Sequence, residues 1–368
     1  MLVSPASARR RGFTLTEMLA VLSIVALLLI VLAPAIHVAR DRARSLKCRN
    51  NLKEIGIAML NYHDTYGCFA PGYVAATKPG KEGVIDLAWN LGNGWQVGLL
   101  PYMDQAPLYV KIDFTSGMSG LKEIGKTKLA VFRCAEDKGS DIVAKVTLQG
   151  PFPDKSKTSV QANMFARSNY VGVAGWDNDW HLGMTAPENP NGPADGTASN
   201  WSTLELGSDF RDGVCVYAGA IKLDGKGPSP NARDYHGFFG ENSSRRMDDL
   251  TDGRSFTLTI GERSTPTKSD AETDVGNAIW GGVADRSTRV GQSLSLGSAY
   301  WPINHGVKDG TIPNTTGFNS RHDGGGAHFV VGDGSVRTIS QKIELSAFRR
   351  LCVVGDGVRG KLNVPALP

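Results

Sequence analysis

The stretch Arg9-Arg10-Arg11-Gly12-Phe13-Thr14-Leu15-Thr16-Glu17 runs directly into an uncharged segment, Met18 to Ile36, and this opening decides the fold. The segment has 19 residues. As a helix it is about 28 Å long, close to the roughly 30 Å of a bilayer core. A cleaved secretory signal has a shorter apolar region, about 7–15 residues, ending at a small-residue site. Here Pro34, His37 and Arg40 stand where such a site would fall. The length favours a helix that stays in the membrane.

The remainder of the 368 residues is ample for a large core. Hydrophobic residues make up 41% and charged residues 21%, the balance of ordinary globular protein. Glycine is 44 of the 368, about 12% against a usual level near 7%, which favours turns and strands and excludes a mainly helical bundle. Net charge is +4, of which Arg9, Arg10 and Arg11 supply three. Without them the chain is nearly neutral and lacks the clustered basic excess of a nucleic-acid binder.

Beyond Pro34 the apolar pattern becomes amphipathic. Leu52, Ile55, Met59, Tyr62 and Tyr66 recur at intervals of three and four, one stripe of a helix that packs under a globular domain. Gly67 is a stop signal, and Pro71-Gly72 completes the break. From there helical periodicity fades. Short β-rich runs such as Val214–Tyr217 and Ser255–Ile260 alternate with Gly, Asn, Asp and Pro clusters. Residues 185–202 read as a loop insertion. Ala327–Val331 and Ser335–Ile339 flank Gly332-Asp333-Gly334, a hairpin signal spanning about 327–339. An antiparallel β-rich domain packed on one long helix is an α+β class.

The opening resembles the type IV prepilin cleavage and methylation site. The match comprises a basic leader, Gly12 before Phe13, a carboxylate at the fifth mature position (Glu17) and a proline at the twenty-second (Pro34). The resemblance implies cleavage after Gly12 by a prepilin peptidase and methylation of the new amino terminus, Phe13. Glu17 is then costly beside a membrane unless paired. The resemblance suggests the Phe13 ammonium of a neighbouring pilin-like subunit as its partner, which would set axial register. One feature of the charge pattern opposes this orientation. Arg40, Arg42, Arg44, Lys47 and Arg49 outnumber the leader arginines, and the positive-inside rule alone would place them in the cytoplasm. The prepilin-type start outweighs that rule, because its peptidase acts on the cytoplasmic face.

A second resemblance spans nearly the whole chain, to a large bacterial family of prepilin-like proteins of unknown function. It is carried by Cys48-Arg49-Asn50-Asn51-Leu52, Asn61–Gly67, Leu100-Pro101-Tyr102, Phe132-Arg133-Cys134, Ser168-Asn169-Tyr170-Val171-Gly172, Asp249–Gly253 and Ile260-Gly261-Glu262. The family closes on an H-x9-D-G motif. Here His322 precedes Asp333-Gly334 with ten intervening residues, which weakens any reading of His322 and Asp333 as a fixed pair. The resemblance implies a pilin-like fold. Residues 1–12 are the cleaved leader. Residues 13–67 are the helix, with a membrane span of about 15–36 and an exported half 37–67. Residues 68–368 form the exported domain. Five cysteines in an exported chain imply pairing with at least one left over. Cys48 and Cys134 both fall in family-like segments, which favours a bridge between them.

Other chemistry is weaker. His305, His322 and His328 with Asp323 and Asp333 could be read as metal ligands, but no spacing places two of them on one helix face, and His328 reads as a cross-strand packing residue. Asp177-Asn178-Asp179 and Asp248-Asp249 with Asp252 lack a calcium-loop spacing and read as solvated turns. Gly355-x-Gly357-x-x-Gly360 has only eight residues after it, too few for a dinucleotide unit. The seven tryptophans read first as core or interface residues. The sequence therefore predicts a non-enzymatic envelope protein without cofactor or metal. It is held by one membrane pass in the inner membrane with its large domain outside the cytosol. The resemblance implies as its partners the prepilin peptidase and neighbouring pilin-like subunits of a type IV pilus or a type II secretion-like filament. The alternative is a membrane-anchored module for a solute or glycan.

Overall fold

The computed structural model describes residues 14–74, 92–114, 121, 123–149, 159–175, 237–240, 243, 245–267, 277–283, 294–308 and 316–354. The chain divides into two compact units, residues 1–44 and 45–368.

Helix α1 is a single helix, Leu15–Tyr66, of 52 residues with Pro34 inside it. It begins with a capping box that the Thr14-x-x-Glu17 spacing encodes. The Thr14 amide donates to Glu17 Oε2 at 2.9 Å and the Glu17 amide donates to Thr14 Oγ1 at 3.3 Å. Large apolar side chains from Leu15 to Val38 are exposed, Ile30 by 72%. The helix is long and apolar enough over this part to cross a membrane. A proline within such a segment costs one intrahelical hydrogen bond, which membrane helices tolerate.

In the second unit α1 carries a buried stripe of Cys48, Asn51, Leu52, Ile55, Gly56, Ala58, Met59 and Tyr62. The spacing that predicted the stripe put Tyr66 on it too; Tyr66 is partly buried against the same core. The helix stops at Gly67, whose φ of 74° and amide bond to His63 O (2.7 Å) form a glycine C-terminal cap.

Strands β1 (Ile142–Gln149) and β2 (Ser159–Ala166) form an antiparallel pair. Five further strands make the main sheet: β3 (Tyr170–Val173), β4 (Leu258–Glu262), β5 (Leu296–Gly297), β6 (Gly326–Val331) and β7 (Val336–Ser340), in the order β5-β3-β4-β6-β7. The fold is α+β and pilin-like. Its sheet is antiparallel except at one edge, where β5 runs parallel to β3, a pairing that no short-range pattern reveals. Short helices α2 (Trp95–Leu99), α3 (Ala106–Tyr109) and α4 (Leu345–Leu351) punctuate the domain, which the fading periodicity did not predict.

The period-2 alternation of the strands divides the core. Val171, Val173, Ala327, Phe329 and Val331 enter one cluster, closed by Phe348 and Leu351 of α4. Tyr170, Ile260 and Val330 enter the other, against Leu52, Ile55 and Met59 of α1. Each fully buried Leu, Ile or Val contributes about 1.5–3 kcal/mol. The hairpin expected at 327–339 forms as β6–β7, with Ala327 opposite Ile339 and Val330 opposite Val336. The predicted strand Ser255–Ile260 starts later, at Leu258. The Val214–Tyr217 run and the 185–202 insertion lie outside the described residues.

Candidate functional site

The same alternation that puts Val330 on the α1 side puts His328 there, and Ile260 carries Glu262 with it, two residues on. Cys48 arrives from α1, Cys134 from the turn after Ala130–Phe132, and His322 from the loop before β6. These side chains converge on one buried polar knot.

Cys48 and Cys134 form a disulfide with a Cα–Cα distance of 4.9 Å, closing a separation of 86 residues. Cys48 Sγ accepts the Ala135 amide at 3.1 Å, and Tyr170 OH donates to Cys48 O at 3.3 Å. His322 Nε2 lies 3.6 Å from Cys134 Sγ and 3.0 Å from Glu262 Oε1. The other carboxylate oxygen, Glu262 Oε2, accepts the His328 amide at 2.7 Å. Glu262 is 2% exposed and His322 8%. Burial alone would depress the His322 pKa, but the hydrogen bond and negative charge of Glu262, with Glu136 and Asp323 behind it, raise it above the usual imidazole value. His328 behaves oppositely: burial, opposed by Glu262 and reinforced by His322 and Arg49, lowers it to about 4.

A second layer locks this knot to the sheet. Asn51 Nδ2 donates to Ala130 O and Arg133 O (3.2 and 2.7 Å). Asn169 Oδ1 accepts from Arg133 (2.7 Å) and from the Cys134 amide (3.0 Å), while its Nδ2 donates to Asp137 (2.7 Å) and to Arg263 O (2.9 Å). Burial pushes the Asp137 carboxyl up, yet hydrogen bonds from Thr265 and Asn169 and the Arg133 charge outweigh it and hold the pKa below the ordinary range. The segments Cys48–Leu52, Phe132–Cys134, Ser168–Gly172 and Ile260–Glu262 are therefore neighbours in space.

His322 and Asp333 have separate partners. Asp333 belongs to the β6–β7 turn, where its Oδ1 accepts the Ser335 amide at 2.8 Å and its Oδ2 accepts Ser255 Oγ. Gly334 O accepts Lys53 Nζ at 2.9 Å, tying the turn to α1. His305 lies apart from His322, stacked on Trp301 with ring centroids 4.2 Å apart, and Asp323 is exposed. The four donors that do gather, Cys48, Cys134, Glu262 and His322, have ligand atoms within 4.8 Å of one another. Glu262 was visible only as part of a family-like segment. A carboxylate ending the apolar run Leu258-Thr259-Ile260-Gly261 was the signal that it is buried and paired.

Beside the knot, His328 lies between two hydroxyls: Ser45 Oγ lies 3.1 Å from its Nε2. The opposite nitrogen, His328 Nδ1, meets the Thr338 hydroxyl at 2.8 Å rather than a carboxylate. An imidazole with a pKa near 4 and no carboxylate orienter is a poor general base.

Cys68 is also disulfide-bonded, to a partner outside the described residues, and Cys352 is free and buried. Trp95 and Trp280 are fully buried core residues. Trp89, Trp176, Trp180 and Trp201, the Asp177–Asp179 turn, Gly355–Gly360, Gly12 and Phe13 lie outside the described residues. Asp249 Oδ2 accepts the Arg246 amide at 2.8 Å in a short 3-10 turn, an ordinary turn role.

Comparison with known proteins adds two matches. Residues 7–33 match the prokaryotic N-terminal methylation motif, which implies prepilin peptidase processing and membrane association and agrees with a single-pass anchor. No curated protein and no solved structure matches the chain. Residues 37–346 match a second family model, covering most of the chain, α1's buried stripe and every member of the knot; the chain belongs to the family described as a protein of unknown function, DUF1559.

Proposed function

We propose that this chain is a prepilin-type envelope protein. It is cut after Gly12, held in the inner membrane by the first part of α1, and displays residues 68–368 on the extracytoplasmic side. The observation that carries this reading is the exposed, uncharged apolar run from Met18 to Ile36, which begins inside the methylation motif. Exposed side chains of that kind need either lipid or neighbouring helices of the same character. On this reading the exposed helices pack in an apolar filament core, and Glu17 pairs with the Phe13 ammonium of the next subunit to set the axial step. An exported domain of roughly 300 residues suits a minor or tip subunit, or surface display, better than a densely repeated one.

The work of the exported domain is structural rather than catalytic on this reading. It is supported by the knot, where both carboxylate oxygens of Glu262 are taken up by His322 Nε2 and the His328 amide, and by the weak basicity of His328. Amino-terminal sequencing and intact mass of the native protein test the proposal. A methylated Phe13 at the terminus supports it; native protein that begins at Met1, or that has lost the whole apolar segment and is soluble without detergent, refutes it.

A further inference from the structure

We propose that Cys48, Cys134, His322 and Glu262 form a binding site for a zinc-class divalent cation when the Cys48–Cys134 disulfide is reduced. The metal-bound and disulfide states of the knot are then mutually exclusive. The inference concerns the knot alone and holds whether or not the chain enters a filament.

Four observations carry it. The donor set is two sulfurs, one imidazole nitrogen and one carboxylate, the mixture that suits zinc among the common divalent cations. The donor atoms already lie within 4.8 Å of one another. A tetrahedral zinc with bonds of about 2.0–2.3 Å needs them roughly 3.3–3.8 Å apart, so only small side-chain adjustments are required. His322 Nε2 points at both Cys134 Sγ and Glu262 Oε1, so the nitrogen that would ligate already faces the sulfur and the oxygen it would join. All four residues are buried, between 0% and 8% exposed, and sit on elements fixed by the core: α1, the segment just after the Ala130–Phe132 turn, the end of β4 and the loop leading into β6. Reduction frees two sulfurs beside a carboxylate and an imidazole that are already in contact, which completes a four-donor set in a buried site.

The chemistry balances. A dithiol reductant breaks the S–S bond, supplies two electrons and two protons, and becomes a disulfide itself. The two protein thiols then lose one proton each to solvent as the cation binds, and a proton on His322 Nε2 leaves as well. The reverse transition needs a disulfide-bearing oxidant to accept the two electrons as the cation departs. A chain made in a reducing compartment and moved to an oxidising one would pass from the first state to the second.

The test uses full-length protein in detergent, oxidised or reduced with excess dithiol, loaded with Zn²⁺ and freed of unbound metal. Elemental analysis is expected to give one zinc per reduced chain and none per oxidised chain. Co²⁺ as a probe is expected to show the visible bands of tetrahedral coordination and thiolate-to-cobalt charge transfer. Cys134→Ser and Glu262→Gln are each expected to weaken binding at least about tenfold, while His305→Ala leaves it unchanged. Circular dichroism accompanies every sample. If the reduced chain loses structure, recovery on adding Zn²⁺ supports the site. Failure to recover at saturating Zn²⁺, equal zinc in both redox states, or binding untouched by Cys134→Ser and Glu262→Gln overturns it.

Discussion

Gly56 of α1 lies directly against Gly334 of the β6–β7 turn. A Cβ placed on Gly56 would stand 2.9 Å from the Gly334 carbonyl oxygen and 3.0 Å from Val330 Cγ1. Lys53 Nζ, one turn earlier on the helix, donates to the same carbonyl. The turn of the closing motif is thus seated on the helix backbone, and the hydrogen bond and the close approach act on one atom.

Gly56→Ala is expected to destabilise the domain by about 1–3 kcal/mol, the usual cost of overpacking a fitted core, because the obstructing atoms are a backbone carbonyl and a β-branched side chain. Chemical denaturation of the wild type and the variant measures it. A change under half a kilocalorie would show that the helix and turn separate easily.

Removing the disulfide by the pair Cys48→Ala and Cys134→Ala is expected to cost about 2–4 kcal/mol, since it opens a long covalent loop. Either single variant leaves a free thiol beside His322 and shows a comparable loss. Unfolding under non-reducing conditions reads the effect. Peptide mapping without reduction identifies the bridge; free thiols at both positions in the native protein would remove it.

Glu17 serves two readings, a local helix cap and an intermolecular register contact, and two variants separate them. Thr14→Ala removes the hydroxyl half of the cap, worth about 0.5–2 kcal/mol at a helix start, and keeps the carboxylate. Glu17→Ala removes both the carboxylate cap and the charge. Cleavage after Gly12 is expected in both, with assembly reduced in Glu17→Ala and retained in Thr14→Ala. Equal loss in the two would assign Glu17 to capping alone.

Asp333 gives the β6–β7 turn an acid limit. Partial burial pushes its carboxyl up, but hydrogen bonds from Ser255 and Ser335 and the charge of Arg337 hold it below the ordinary aspartate value. The folded value is depressed, so this stabilisation is full above the unfolded value of about 3.9 and disappears as pH falls through the folded one. The gap in melting temperature between wild type and Asp333→Ala should be constant from pH 7 to 5 and narrow in stronger acid. A gap that persists at pH 2 would mean the carboxylate charge is not what holds the turn.

Much of this protein is written in short-range patterns. The apolar run, the stripe Leu52-Ile55-Met59-Tyr62, the stop at Gly67 and the Asp333-Gly334 turn each depend on residues a few positions apart, and each forms where its periodicity or turn chemistry places it. The Thr14-x-x-Glu17 cap was equally local, a spacing of three. Family-like segments marked Cys48 and Cys134 as companions, although neither cysteine alone names its partner.

Tertiary structure decided the rest. Glu262 and His322 are 60 residues apart, and His322 and Cys134 are 188 apart. No local propensity relates them. They meet because strand alternation turns Glu262 and His328 toward α1, and because a carboxylate driven into the core by its neighbours must find a cation or a donor there. The parallel edge strand β5 and the separation of His322 from Asp333 were settled in the same way. Helix periods and turns are set by the nearest few residues; the pairing of buried charge is set by whichever distant segments the packed core brings within reach.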